Sequence, residues 1–497
     1  MRAIGAVVLV LSALPAFLAG CGAVAGTLLD TSVDMATYPF KEYVSRGAYK
    51  YDNDWDDGFS SIEPGVKDHG ELVVGVSISG GGSRSAYFMA CVLEELSKIP
   101  IGGADGPSYL DEIDYISSVS GGSLASAYYC FKRFEGKAVP AEEFFPGYKE
   151  AMSTNFEMAS LGRMALGYWV LDLFTYYDRG DLIASVWDGH FFDDATFAHL
   201  AEAEKRGAPT LIVNGTSLSN GLKFVFSTLP DDRFRSAYFD AMARQALIEY
   251  GVTEGYQPFQ TMGFQSLNSD ISKYPISKAV AASASVPNLL GPVTLRVNGN
   301  SGDEGGETVR PVPCVVGSLI NISDGGIYDN YGIESLMQII TGHLDRHPGQ
   351  EAVIIVIDGS GFFDVDASED SDHYSVADFS ERTLSISWLR TKNYVEHVLQ
   401  QARDFRDEND RQPYRNLDFQ LISLYDVLPS QKSDTYPFGV KDGVAKNILR
   451  PDLAAKKFLR RITTIQTRFR VTDDDAGVIE DVAARSAGAL RSRRQVR

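Results

Sequence analysis

The sequence predicts an α/β protein, on three observations. A short apolar run, a glycine loop and a helix of one-sided hydrophobicity follow one another from Leu72, and a second run leads through glycines into a helix from Ile113. Further short apolar runs, the mark of buried strands, occur at Leu211–Val213, Leu319–Ile322 and Val353–Ile357. The 497 residues fit roughly three domains of ~150, or one large α/β domain with insertions. With 44% hydrophobic and 23% charged residues the composition is near the globular average, which excludes wholesale disorder, collagen-like repeats and a polytopic membrane protein. The net charge of −20 repels nucleic acid. The arginines of the tail, Arg485, Arg491, Arg493, Arg494 and Arg497, read as a solvated end.

From the N-terminus, Met1 and Arg2 precede an apolar stretch from Ala3 to Ala19, short and terminal as a secretory signal is. It closes on Leu18-Ala19-Gly20-Cys21. Small residues before a cysteine suit a peptidase cleft, and the thiol is a nucleophile that accepts a diacylglyceryl group. These four residues resemble the lipobox of bacterial lipoproteins; an ordinary signal cleaved elsewhere is the alternative. The reading makes 1–20 a signal peptide and Cys21 the acylated first residue of a protein tethered to a membrane outside the cytoplasm. Gly22 in place of aspartate points to the outer membrane of the envelope. Cys91 and Cys130, within helical patterning, are expected as buried free thiols.

Residues 21–70 read as a tether and irregular wrap, with an acidic cluster at Asp52, Asp54, Asp56 and Asp57 that lacks a calcium-loop pattern. The strand at Leu72–Ile78 then runs into Gly80-Gly81-Gly82-Ser83-Arg84-Ser85, and Met89, Val92, Leu93 and Leu96 follow at helical spacing. Glycines here let bare N–H groups gather at the mouth of a helix, where the macrodipole favours an anion. A phosphate cradle and an oxyanion hole share that geometry, and a plain tight turn is the bland alternative. The P-loop and dinucleotide patterns are missing.

The second run, Ile113–Val119, passes through Ser120-Gly121-Gly122 into a helix of small side chains from Ser123 to Tyr129. A serine at such a turn is a nucleophile elbow, strained so that its hydroxyl projects from the sheet. Ser120 is the expected nucleophile, with the Gly121 amide near the helix N-terminus. In the common Gly-x-Ser-x-Gly pattern, Ser118 stands for the first glycine and Gly122 for the last; a serine at 118 disfavours positive φ. A helical insertion, 131–208, follows and carries an apolar piece from Leu166 to Phe174 that suits core packing, an acyl-pocket lid or a lipid interface. Later, apolar strands lead to Asp324-Gly325-Gly326, an aspartate placed to reach over the carboxyl edge of a sheet.

These pieces, in this order, resemble the patatin-like phospholipase family. The resemblance rests on the glycine loop from Gly80 to Ser85 with its basic Arg84, the elbow from Ser118 to Gly122, and the Asp-Gly-Gly of Asp324 to Gly326. It is supported by the strand-like Pro209–Thr216 and the alanine- and serine-rich Ala281–Pro287. It covers roughly 71–360, expected as the catalytic domain, and leaves 361–497 as a C-terminal extension packed on the core. It implies a doubly wound, mostly parallel sheet flanked by helices, a Ser120–Asp324 dyad, and an oxyanion hole drawn from Gly80, Gly81, Gly82, Arg84 and Gly121. The substrate implied is a phospholipid or other lipid ester. No cofactor is implied, and no metal-ligand cluster is read. Two alternatives stand beside it: a Ser-His-Asp esterase using His343, His347, His373 or His397, and an envelope lipoprotein that keeps the fold to bind lipid without turnover.

Overall fold

A computed structural model describes residues 53, 72–101, 106–154, 179–250, 259–287, 290–298, 314–360, 386, 395, 397–407, 409–424, 440–441, 444–445 and 471–494. Cys21, the signal stretch, the apolar piece at 166–174, the acidic cluster of Asp52, Asp54, Asp56 and Asp57, and His373 lie outside the described residues.

The chain order is β1 (Leu72–Ile78), α1 (Gly82–Leu96), β2 (Ile113–Val119), α2 (Gly121–Lys132), α3 (Ala141–Ser153), α4 (Arg179–Trp187) and α5 (Phe197–Glu204). β3 (Thr210–Ser217), β4 (Lys223–Ser227), α6 (Ala237–Tyr250), β5 (Thr261–Met262), α7 (Ile276–Ser283), β6 (Val293–Arg296) and β7 (Leu319–Asp324) follow. Next come α8 (Gly326–Asp329), α9 (Ile333–Arg346), β8 (Glu351–Asp358), β9 (Leu417–Ser423) and α10 (Asp473–Arg494).

Among the described residues the main sheet has nine strands, in the order β5-β4-β3-β2-β1-β8-β9, with β7 pairing β3 and β6 pairing β7. β1 lies between β2 and β8 and is parallel to both. β2–β3 and β8–β9 are parallel too, whereas β4 and β7 run against β3. Because the chain leaves β1 in one direction and returns on its other side, the carboxyl end of β1 is the switch point where a doubly wound sheet opens a crevice.

Strand alternation builds the layers. Val353, Ile355 and Ile357 of β8 join one buried cluster with α1, α2, α3, α5, α7 and α10. Ala352, Ile354 and Val356 join the other with α6 and α9. Both sheet faces are therefore covered, as parallel strands require. At Gly75 a Cβ would come within 2.5 Å of Ile340 Cδ1, so α9 lies directly on β1. Cys91 on α1 and Cys130 on α2 are buried free thiols, their pKa values raised by burial. The sheet does not end at 360: β9, from the stretch read as an extension, pairs with β8 from Ala352 to Asp358. α10 lies on α1, where Glu480 accepts from Tyr87 Oη at 2.9 Å and Lys149 bridges Glu94 and Glu480 at 2.9 and 3.3 Å.

Candidate active site

The carboxyl ends of β1 and β2 each turn into a helix, and the two turns touch. After β1, Ser79 N–H donates to Ile357 O at 3.1 Å, and Gly80 N–H to Asn330 O at 2.9 Å. Gly81 and Gly82 then adopt φ of 147° and 60°, which only glycine takes without strain. A Cβ at Gly81 would stand 2.5 Å from Gly359 O. A Cβ at Gly121 would stand 2.1 Å from Gly82 O, so the starts of α1 and α2 meet backbone to backbone. Neither helix has an acidic residue in its first turn, and both positive ends are left uncompensated. The N–H groups of Gly81, Gly82 and Gly121 have no acceptor among the described residues. They form an anion-receptive cluster of donors.

Two residues expected in that cluster have other partners. Gly80, whose N–H is held by Asn330 O, is not one of the open donors. Arg84 is 3% exposed and donates from Nε to Gly359 O at 3.0 Å. That bond makes the guanidinium a brace: it ties the start of α1 to the end of β8. Ser85 Oγ, donating to Ser79 O at 2.6 Å, adds a second tie.

Ser120 sits in the second turn with φ 53° and ψ −124°. Such a conformation costs a non-glycine residue about 1–3 kcal/mol, and the surroundings must hold it. They do so through Ser283 Oγ, which accepts from Ser120 N–H at 2.9 Å and donates to Asn214 O at 2.6 Å. Gly122 lies so close to β1 that a Cβ would meet Ile78 Cγ2 and Ser79 O at 2.7 Å each. Ser118 keeps ordinary strand backbone, paired with Val213 in β3, and is not among the residues with positive φ. The serine in place of the first glycine is therefore unstrained.

Asp324 arrives from outside. β3 runs past the end of β2, and β7 pairs antiparallel with that overhang, Gly215 opposite Asp324. The strand-end aspartate thus reaches the carboxyl edge on a strand pointing back towards it. Its N–H donates to Ser285 O at 3.1 Å, and its carbonyl accepts from Thr216 Oγ1 at 2.8 Å. At Gly325 a Cβ would stand 2.3 Å from Asn214 O, and Gly326 N–H donates to Asp324 Oδ1 at 2.7 Å. The two residues after Asp324 must be small for one reason and open for the other.

Burial pushes the Asp324 carboxyl up to about 7, against the bond from Gly326 and the nearby Ser120 hydroxyl, which both favour the carboxylate. Ser120 approaches more loosely than in an ordinary hydrogen bond, and Asp324 Oδ2 is buried with no partner of normal geometry among the described residues. Loose contacts of this kind tighten when substrate arrives.

The structure thus brings Ser120, Asp324, Gly81, Gly82 and Gly121 to one corner. The described histidines named for a triad lie elsewhere. His343 and His347 are stacked on each other in the last turn and cap of α9, and His343 Nε2 meets Gln350 Oε1 at 2.7 Å. α9 starts beside Ser117 and Ser118 and is 14 residues long, so its end stands roughly 20 Å away at the opposite edge of the sheet. His397 is exposed. Sequence reasoning did not single out Ser283, Ser285, Asn214 or Asn330 for the site. Asn214 Nδ2 donates to Ser117 Oγ and Ser118 O at 2.9 Å each, and its Oδ1 accepts from Ser335 Oγ at 2.6 Å. Among the described residues there is no cluster that could hold a metal ion, and no helix long and apolar enough to cross a membrane.

A family model described as patatin-like phospholipase matches residues 76–337, more than half of the chain. No curated protein matches it. A solved structure of human GIVD cytosolic phospholipase A2 matches over 92% of this chain and 64% of its own, at 13% identity and a TM-score of 0.44. A complex of that human protein with methyl gamma-linolenyl fluorophosphonate matches over 94% and 63%, at 14% identity and a TM-score of 0.42. This chain spans less than two thirds of the length of those human chains.

Proposed function

The chain belongs to the patatin-like phospholipase family, and on that footing we propose that it is a serine acyl hydrolase of glycerophospholipids or related lipid esters, working through Ser120 and Asp324. One observation carries the mechanism: a buried carboxylate, pushed up to about 7, lies against a serine on a strained turn and keeps one oxygen without a partner among the described residues. A carboxylate at the usual ~3.9 is a feeble base at neutral pH. Near 7 it holds and releases a proton within the working range.

Ser120 Oγ attacks the ester carbonyl while Asp324 Oδ2 takes the hydroxyl proton. The carbonyl π pair moves onto oxygen, which faces the amides of Gly81, Gly82 and Gly121 and the converging ends of α1 and α2. Collapse of this intermediate breaks the bond to the alcohol, which leaves with the proton from Asp324. Water then gives a proton to Asp324 and attacks the acyl-serine. The second collapse frees the fatty acid and returns the proton to Ser120.

The test is a lipid-ester panel together with fluorophosphonate labelling. Wild type hydrolyses and is labelled, while Ser120→Ala and Asp324→Asn each lose at least about 10³-fold in kcat, the scale on which removal of a nucleophile or its base acts. Turnover that survives Ser120→Ala would sink the mechanism. The anchor at Cys21, and with it an outer-membrane location, is part of the same reading. It requires Cys21→Ala to release the protein from the membrane fraction and to remove the diacylglyceryl mass from the mature N-terminus.

A further inference from the structure

The candidate oxyanion hole has a gap. Gly80 belongs by position to the ring of glycine amides, yet its N–H is held by the backbone carbonyl of Asn330 at 2.9 Å. The same asparagine puts its side chain into that spot. A Cβ on Gly80 would stand 2.4 Å from Asn330 Oδ1 and 3.4 Å from Ser120 Cβ, so the carboxamide and the nucleophile flank the same glycine. Asn330 is 1% exposed. Its Nδ2 is buried and has no acceptor among the described residues. A buried amide left in that state is costly, and proteins keep few of them.

Two neighbouring polar side chains are satisfied, whereas Asp324 Oδ2 is not. Asp329 accepts from Tyr331 and Glu334 N–H at 2.9 Å each, and Asn214 is saturated by Ser117, Ser118 and Ser335. Asn330 stands out because its backbone is fixed and its side chain is not. α8 ends at Asp329, and Asn330 caps it with helical φ and ψ of −66° and −8°. The two ends of the carboxamide exchange by a half-turn, so the end over Gly80 is free to be the N–H.

We propose that Asn330 is a catalytic residue: its carboxamide donates a hydrogen bond to the oxygen that becomes negative in the tetrahedral intermediate, in place of the Gly80 amide that its own backbone withdraws. The inference rests on the acyl-hydrolase reading above. A side-chain donor suits this place because its partner, the substrate oxygen, is present only during the reaction. The same half-turn lets the group wait without an acceptor and engage when charge develops.

The decisive variant is Asn330→Leu, close in size and without a donor, assayed on a soluble short-chain ester beside wild type and Ser120→Ala. The expected result is a fall in kcat of about 10²–10³-fold with KM within about threefold, as for loss of one oxyanion donor. The melting temperature should be equal or higher, because an unsatisfied amide has been replaced by an apolar group. Unchanged kcat in a folded Asn330→Leu protein overturns the proposal while Ser120-dependent turnover in wild type leaves the acyl-hydrolase reading standing. Lack of Ser120-dependent turnover in wild type overturns both. If Asn330→Leu does not fold, the wild-type protein answers: on fluorophosphonate adduct formation, the Asn330 side-chain amide proton should shift downfield and exchange more slowly. An unmoved resonance counts against the proposal.

Discussion

Asp324 and Asp231 look alike by burial and differ in what they touch. Both are almost wholly buried, and burial pushes one to about 7 and the other to about 6. Asp231 lies in the turn after β4, where its Oδ2 accepts from Gly263 N–H at 3.0 Å, Ser266 N–H at 2.9 Å and Ser266 Oγ at 2.7 Å. Asp324 Oδ1 accepts one backbone N–H, its Oδ2 is buried with no partner of normal geometry among the described residues, and the Ser120 hydroxyl lies loosely against the carboxyl group. A raised pKa therefore marks burial at both corners and does not by itself mark chemistry. What separates them is an oxygen with no structural partner among the described residues, in a carboxyl group that lies against a serine on a strained turn. One acid organises a loop; the other is left with something to do.

The largest contrast comes from the same substitution at both corners. Asp231→Ala orphans the three donors around Oδ2 and should cost roughly 2–5 kcal/mol in denaturant unfolding, with turnover by the remaining folded protein unchanged. Asp324→Ala should lose at least about 10³-fold in kcat. Its stability at pH 8 should be no lower than that of wild type. Both carboxyls have folded pKa values above the unfolded value of 3.8, so the folded state holds more protons between about 4 and 7. The stability each lends is full below about 4 and is lost as pH rises through about 6 for Asp231 and about 7 for Asp324. Removing Asp324 relieves that penalty at pH 8, on the order of a few kcal/mol. If the two variants lose activity in equal measure with folding intact, the contrast fails.

The pH profile is the next lever. Asp324 must be ionised to accept a proton, so kcat/KM should rise about tenfold per unit below a midpoint near 7 and level off above it. Asp231 titrates lower, near 6, and should appear in the stability profile and not in the rate. A rate profile flat from pH 5 to 8 would remove Asp324 from the role of base. Ser283→Ala asks a smaller question about the same corner. Ser283 Oγ is the acceptor for Ser120 N–H, so its loss loosens the elbow without touching substrate. A drop in kcat on the order of tenfold is expected, with about 1–2 kcal/mol of stability, and a parallel fall in the fluorophosphonate labelling rate distinguishes a displaced nucleophile from a destabilised fold.

The fold was largely legible because its elements carry local signatures. The alternating faces of β8 and the glycines after β1 and β2 are written in adjacent residues, and the parallel core with helices on both faces follows from them. The candidate site was legible where chemistry and strain coincide, as at Ser120 and the Asp324-Gly325-Gly326 turn. Tertiary pairing hid the rest. Nothing near Asp324 announces that β7 runs antiparallel onto the overhang of β3. Ser283 and Ser285 read as small residues of a helix end, because their partners, Ser120 and Asp324, are distant in sequence. Gly80 counted as an oxyanion donor only until the fold brought Asn330 O to its N–H. β9 shows in the sequence as the apolar run Phe419–Leu424, expected to pack on the main domain, and only its register with β8 makes it part of the sheet.

The smallest effect belongs to Ser118, two residues before the nucleophile and one side of the same turn. The common pattern puts glycine there, which suggests that Ser118→Gly would improve the elbow. The geometry argues otherwise. Ser118 has strand backbone in register with Val213, so glycine's access to positive φ has no use at this position. Its hydroxyl makes one long bond, to Ile212 O at 3.4 Å, and little is lost with it. What glycine does bring is a more flexible unfolded chain, at a cost of about 0.5–1 kcal/mol for a strand interior. Ser118→Gly should therefore lower the unfolding midpoint slightly and leave kcat within about twofold of wild type. A gain in kcat of tenfold or more would mean that strain at 118 limits the present enzyme. The elbow would then be tuned by the strand that feeds it as well as by Ser283 and the glycines packed around it.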